Sequence, residues 1–349
     1  MRISRRELLA TFLGAPLAMA ACRDSVRPTR FPSGEFVGAN WQLGHILREG
    51  RSFEVPEGSW QNCRVAIVGA GVAGLAAAWK LRKRNITDFV LLELERDLGG
   101  RPRSGTGEPV GYPWGAHYLP VPFRENGELI ELLDEMELSD GRNSSGDLVV
   151  KEQFLCREPE ERVFYKGRWY EGLYLHVGES EHDKRDLREF EKQIDYWVNW
   201  RDGTGRRAFV VPSAKCSDDS EVTALDKLNF SEWLIQKGFS SERLFWYCDY
   251  ACRDDYGLKL EQTSAWAGLF YFCSRVRAGG NESQPFITFP EGNGRFVRHL
   301  AEKSAENSRP SHAVVSILPK DKGADVICLA DGELRGFHCE SVIFASPIF

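Results

Sequence analysis

Cys63-Arg64-Val65-Ala66-Ile67-Val68 runs directly into Gly69-Ala70-Gly71-Val72-Ala73-Gly74. The first half is a short β-branched apolar run, the pattern of a parallel strand buried on both faces. Next come Leu75-Ala76-Ala77-Ala78-Trp79-Lys80-Leu81-Arg82-Lys83, mostly strong helix formers. A second apolar run follows at Phe89-Val90-Leu91-Leu92-Glu93-Leu94. Strand, glycine turn, helix and strand make a βαβ unit with a dinucleotide cradle at its bend. Gly69 permits the tight turn, and Gly71 leaves room for a pyrophosphate to approach the backbone. Gly74 lets the helix pack close to the strand. Free N–H groups at the helix mouth, with Ala70 and Ala73 beside them, then face the phosphates. Glu93, 19 residues after Gly74, can accept hydrogen bonds from a ribose 2′-hydroxyl and would repel a 2′-phosphate. The expected guest is FAD or NAD, not NADP.

Leu98-Gly99-Gly100-Arg101 separates these two guests. A nicotinamide domain has no use for a second glycine loop here, whereas a longer dinucleotide in the same crevice runs past it. In this stretch the chain resembles the flavin-containing amine oxidase family, with its G-x-G-x-x-G-L and L-E-A-R-x-x-x-G-G-R motifs. Glu93, Gly99, Gly100 and Arg101 match, while Glu95 stands where the family often has Arg. The resemblance implies FAD as cofactor, held in part by Gly100 and Arg101. It continues at Tyr112-Pro113-Trp114-Gly115-Ala116-His117-Tyr118-Leu119-Pro120. There Gly115 and Ala116 would pass the flavin ring, and His117 and Tyr118 would lie near its reactive edge. His117 is equally readable as an ordinary loop histidine. Phe289-Pro290-Glu291-Gly292-Asn293-Gly294-Arg295 matches the family's Pro-x-Gly-x-Gly turn before a helix. Strands are expected at Ala313–Ile317 and Ser341–Pro347, with a hairpin signal at Asp325–Leu329 and Asp331-Gly332 between them. By resemblance, the backbone of Val314 would meet the adenine.

The expected architecture is α/β: a doubly wound, Rossmann-like FAD-binding domain with an inserted mixed α+β substrate domain. Its segments would be a signal peptide over 1–22, a linker and arm over 23–61, and the FAD domain over 62–124 and 285–349. Residues 125–284 would form the substrate domain. The family continues past its V-I-x-A-x-P stretch with a segment that completes the substrate domain and adds a further flavin contact. The resemblance therefore implies a chain truncated at Phe349, binding FAD poorly and turning over nothing.

Between the two halves, Leu129, Ile130, Leu132, Leu133 and Met136 lie at helical spacing. Residues 179–207 are densely charged, with one apolar stripe at Phe190, Ile194, Trp197 and Val198. A further helical patch covers Phe230 to Lys237. In Trp246–Gly257, Trp246 and Tyr250 share a helical face, Asp249 can pair with Arg253, and Gly257 is a helix stop. Two readings stay open here: an aromatic, acidic pocket for a cationic amine, or a core helix with a surface ion pair.

Composition narrows the function classes. Of the 349 residues 42% are hydrophobic and 28% charged, an ordinary globular balance. The net charge of −6, without a long basic stripe, argues against nucleic acid as a partner. The partner expected instead is a small-molecule substrate, with oxygen or another acceptor taking the electrons. The amino terminus, Met1-Arg2-Ile3-Ser4-Arg5-Arg6, leads into an apolar run from Leu8 to Ala21 that is too short to span a bilayer. Adjacent arginines, an apolar middle and small residues resemble a twin-arginine export signal. Ala18-Met19-Ala20 fits a cleavage site, while Leu17–Cys22 resembles a lipoprotein box that would lipidate Cys22. The expected location is the periplasm or a membrane-anchored lipoprotein. The other eight cysteines show no Cys-x-x-Cys spacing, so no zinc site is expected. Buried free thiols are the expected state of most.

Overall fold

In the computed structural model, residues 40–49, 52–157, 161–276 and 285–347 are described. Residues 1–22, with Cys22, lie outside them. The chain divides into two compact units, 1–48 and 49–349. In the first, a helix spans Trp41–Arg48, with the Asn40 side chain accepting from the Leu43 N–H at 3.2 Å. Trp41 stands edge-on to His45. The segment 23–61 is thus not irregular throughout.

The second unit is built on a six-stranded sheet: β1 Trp60–Val68, β2 Phe89–Leu92, β3 Ser308–Arg309, β4 His312–Pro319, β5 Ala324–Ala330 and β6 Glu333–Phe344. Their order is β3-β2-β1-β6-β5-β4. The first four run parallel, and β6, β5 and β4 form an antiparallel meander. β1 starts three residues earlier than Cys63. Its first half is partly exposed while Val65–Val68 are buried, so apolarity marked only the covered part. β6 is much longer than Ser341–Pro347, because Glu333–Cys339 pair with β5 of the meander while Gly336–Phe344 pair with β1 of the parallel sheet. The Asp331-Gly332 turn joins β5 to β6 with positive φ at both residues (51° and 83°), the geometry that Asp-Gly hairpins supply.

Alternation along β1 and β2 feeds two cores. Ile67 and Leu91 pack with Leu75, Ala78 and Trp79 of the helix Val72–Lys83, and with Val297 and Leu300 of the helix Gly294–Lys303. Ala66, Val68, Val90 and Leu92 face Val326, Cys328, Phe337 and Cys339 of the meander. The α/β sheet is therefore covered by helices on one face and by β-structure on the other, so the second winding is a meander instead of a helical layer. Each fully buried Ile or Leu contributes roughly 1.5–3 kcal/mol, and Ile67 is wholly buried. A charge placed there would break the layer.

The expected helices over 125–284 are present. They are Gly127–Glu135, Glu181–Asn199, Phe230–Gln236 and Glu242–Tyr256, and a further helix, Ala265–Cys273, was not singled out from sequence. Ser180 and Asp183 form a capping box at the second of these, and Asn229 and Glu232 at the third. Phe190, Trp197, Phe230, Leu234, Leu244, Cys248, Cys252, Leu269 and Cys273 share one core. A small sheet joins Tyr118–Pro120 to Phe286–Thr288 and on to Leu155–Cys156, tying the two halves of the chain together. No helix among the described residues is long and apolar enough to cross a membrane.

Candidate functional site

The parallel strands β1 and β2 end side by side, and the glycine bend leaves from there. The Gly69 N–H donates to the Leu92 carbonyl at 2.8 Å, and the Ala345 N–H to the Val68 carbonyl at 2.8 Å. Gly69 has φ +95°, and a Cβ there would lie 2.8 Å from Ser346 Oγ. Glycine is thus required by the turn itself. At Gly74 a Cβ would sit 1.8 Å from the Gly69 carbonyl oxygen, so the helix rests directly on the bend. Gly71 caps the helix Val72–Lys83 without any side-chain capping bond. A Cβ on Gly71 would meet nothing within 4 Å. Backbone N–H groups of the first turn have no intrahelical partner, and Val72 and Ala73 beside them are exposed. The bend is therefore a concave, side-chain-free mouth carrying the positive end of a helix.

The second glycine loop closes on the first. The Gly99 N–H donates to the Ala70 carbonyl at 2.7 Å, and Gly71 and Gly99 form a parallel bridge. Gly99 and Gly100 both have positive φ, and a Cβ on Gly100 would lie 3.3 Å from Gly71 Cα. Arg101 is exposed at the end of this loop. Glu93 stands at the junction: its Oε2 accepts from the Ala70 N–H at 2.6 Å and its Oε1 from the Glu95 N–H at 2.9 Å. Sequence spacing placed this carboxylate for a ribose. Its bonds to two backbone N–H groups show that it also shapes the cradle. A carboxylate has about four acceptor sites, so two such bonds leave capacity for a hydroxyl.

Along the other wall, Gly115, Ala116, His117 and Tyr118 form an exposed run. A Cβ on Gly115 would lie 2.9 Å from the Arg101 carbonyl oxygen, so its small size already serves the contact with the Gly-Gly-Arg loop. His117 Nδ1 lies 3.2 Å from the Gly115 carbonyl, and its ring stands edge-on to Tyr118. Tyr118 stacks on Phe286 at 4.5 Å. The Asn293 N–H donates to the Ala116 carbonyl at 3.1 Å, and Asn293 Nδ2 donates to the Tyr118 carbonyl at 2.9 Å. Asn293 was not singled out from sequence; only its place in the Pro-x-Gly-x-Gly turn pointed to it.

Val314 lies on β4, an edge strand of the six-stranded sheet. The ladder between β4 and β5 is shifted between Val314 and Ser316, leaving Val315 as an extra residue. Such a bulge leaves backbone groups outside the ladder, which suits a base edge. Ser311 and His312 N–H groups donate to the Glu95 and Glu93 carbonyls at 2.9 and 2.7 Å, so β4 begins against the Glu93 strand end.

In the helical region, Trp246 and Tyr250 stack at 6.0 Å, and Arg253 Nε donates to Asp249 Oδ2 at 2.5 Å. Gly257 closes the helix in the left-handed region, its N–H donating to the Arg253 carbonyl at 3.1 Å. The opposite side of this helix, Leu244, Cys248, Ala251 and Cys252, is core. Burial, then the charges of Asp254, Glu161 and Tyr118, push the Tyr250 phenol above its ordinary value. No group of His, Cys, Asp and Glu able to hold a metal occurs among the described residues.

Residues 67–136 match the model of the NAD(P)-binding Rossmann-like domain family. The chain is 37% identical over 68 residues to a Baeyer-Villiger monooxygenase of Streptomyces coelicolor, covering 20% of this chain and 13% of that protein. It is 46% identical over 50 residues to a tryptophan 2-monooxygenase of Pantoea agglomerans pv. gypsophilae, covering 14% and 9%. Among solved structures it is similar to wild-type putrescine oxidase bound to putrescine, with a TM-score of 0.58, 20% identity, and 82% of this chain and 59% of that one covered. It is also similar to a CLA-producing fatty acid isomerase from P. acnes, with a TM-score of 0.56, 17% identity and coverage of 82% and 59%. The chain thus spans a minor part of the curated relatives and about three fifths of these structures. Its fold is theirs: a mixed α/β architecture on a parallel sheet with a Rossmann-like dinucleotide-binding domain.

Proposed function

We propose that the chain is the nucleotide-binding and substrate-facing part of an FAD-dependent oxidoreductase of amine oxidase type. The observation that carries this is the open space at Gly71, bounded by a helix mouth, a second glycine loop and Glu93. Gly71 and Ala73 would hold the pyrophosphate through backbone N–H groups of the helix mouth, Gly69, Ala70 and Gly74 would shape the bend that presents them, and Arg101 would supply positive charge beside Gly100. Glu93 would accept from the ribose, and the bulged backbone after Val314 would meet the adenine. When bound, FAD supplies a two-electron acceptor for a hydride from a C–H next to an amine nitrogen.

The exposed strip of Gly115, Ala116, His117 and Tyr118 would form the wall along the flavin ring. Tyr118, Phe286, Tyr250 and Trp246 would contribute aromatic surface from the segment 125–284 and its neighbours. Such a wall excludes water and disfavours the charged form of an amine, keeping its nitrogen lone pair available. The twin-arginine-like start suggests export to the periplasm, with or without a lipid on Cys22.

A second reading, an isomerase or desaturase acting on an apolar chain, is favoured by the likeness to the fatty acid isomerase. The flavin-loaded protein distinguishes the two. Against the expectation that a chain ending at Phe349 turns over nothing, this reading predicts that under anaerobic conditions a small amine bleaches the flavin spectrum and that air restores it with release of peroxide. Rearrangement of a polyunsaturated fatty acid, with no response to any amine, would overturn the amine reading.

A further inference from the structure

At the far end of β1 from the cradle lies a separate cleft of about 420 Å³, lined by Asn62, Cys63, Arg64, Asp88, Lys322, Gly323, His338, Cys339 and Glu340. Ligands of open α/β sheets bind at the carboxyl ends of the strands. This cleft lies near the opposite ends, about 20 Å along β1 from Gly69 at 3.3 Å per residue. Two thiols face each other in it. Cys63 on β1 and Cys339 on β6 are direct partners in the parallel register, and their sulfurs are 3.5 Å apart. Both are free thiols. Among the described residues this is the pair that the fold brings into sulfur–sulfur contact.

We propose that Cys63 and Cys339 form a reversible disulfide by exchange with a dissolved disulfide that enters this cleft. Neighbouring strands place paired Cα atoms within the range that a disulfide tolerates. Closing the remaining gap between the sulfurs takes side-chain rotation, because the register is already in place. Cys63 is half-buried and lines the opening, whereas Cys339 is almost fully buried. The Cys63 thiolate attacks the incoming RS–SR, forming a mixed disulfide and expelling RS⁻, which takes up a proton. The Cys339 thiolate then attacks the Cys63 sulfur and expels the second RS⁻. The protein loses two electrons and two protons, and RS–SR becomes two RSH.

The surroundings suit this order. The bond to Cys339 and burial push the Cys63 thiol up, while that same bond holds the Cys339 thiol below its ordinary value, so access and not acidity makes Cys63 the first to meet the disulfide, and Cys339 is the readier resolving thiolate. His338 is fixed by a stack on Trp60 at 4.3 Å and by Asp325 Oδ1 at 2.7 Å from its Nδ1. Gly323 closes the floor: a Cβ there would collide with the Cys339 carbonyl, 2.0 Å away. The two cysteines are 276 positions apart in sequence. A bond between them would close a very long loop and pin together the two strands whose other ends carry the cradle.

The test uses the whole chain, incubated folded with oxidised glutathione, then blocked with iodoacetamide and digested without reduction. The expected result is one cross-linked species joining the Cys63 and Cys339 peptides, without retained glutathione. The thermal midpoint should rise by about 5 °C and return when dithiothreitol is added. In Cys339→Ala, Cys63 should instead trap glutathione as a stable mixed disulfide. Alkylation of both residues after oxidation, a cross-link from either to a different cysteine, or glutathione retained on Cys63 in the unmutated chain would each overturn the proposal. So would a Cys63 left unmodified in Cys339→Ala. The cross-link map of the unmutated chain decides the matter even if the variant does not fold.

Discussion

The helices Val72–Lys83 and Gly294–Lys303 each start at a glycine, Gly71 and Gly294, and they start differently. At Gly71 the space where a side chain would go is open. At Gly294 the same space holds Ser104, whose Oγ would lie 1.8 Å from a Cβ and which itself donates to the Glu291 carbonyl at 2.6 Å. Both stretches read as glycine turns before helices. One leaves a mouth for a guest, and the other is a joint filled by the protein. Glycine spacing therefore reports close approach; what approaches is decided by the neighbouring segment.

Substitutions can break this contrast. The largest stability loss is expected at Gly74→Ala, where the new methyl meets the Gly69 backbone carbonyl, which cannot rotate away. About 3 kcal/mol should be lost in a denaturant titration. Gly294→Ala should cost about 2 kcal/mol, because Ser104 is a side chain that can partly yield. Ser104→Gly should recover a large share of that loss, and a double-mutant cycle measures the coupling.

Glu135 sharpens the comparison, because it ties the two helices together. It accepts from Trp79 Nε1 at 3.0 Å on the cradle helix, and its Oε1 lies 3.1 Å from His299 Nε2 and 3.2 Å from Lys303 Nζ on the other. Burial would raise its carboxyl, but bonds from Trp79, His299, Lys303 and Lys83 outweigh that and bring it from 4.5 down to about 2. A lowered folded value means the stabilisation is present above about pH 4.5 and is lost as pH falls towards 2. Glu135→Gln should cost about 1–2 kcal/mol at neutral pH and flatten that acid limb in melts recorded against pH. Gly71→Leu should have the smallest effect on stability, under about 1 kcal/mol, since its φ of −69° suits any residue and its surroundings are open.

How far the sequence could be read follows the same division. The bend at residues 69–74, the strand after it and Glu93 were legible because backbone geometry and glycine demand leave few alternatives. Val314 was assigned to the adenine through family resemblance alone, and the bulge beside it left no mark in the pattern. The meander on the second face was hidden because a β-hairpin signal does not say which layer the hairpin joins. Gly115 was read as room for a ring, yet the Arg101 carbonyl is already near it. In the helical region, spacing gave the Trp246–Tyr250 stack and the Asp249–Arg253 pair. It gave no sign that Tyr118 stacks on Phe286, since side-chain packing between distant segments has no local period. The same blindness applied to Cys63 and Cys339, which only the strand register brings together.

The most direct test of the cradle is a calorimetric titration of the purified chain with ADP and with FAD, alongside Gly71→Leu. The account predicts saturable binding of both by the unmutated chain. It also predicts at least about tenfold weakening, roughly 1.4 kcal/mol, in a variant that melts at nearly the same temperature. Equal affinity in the two proteins, or no binding of either ligand by the unmutated chain, would contradict it.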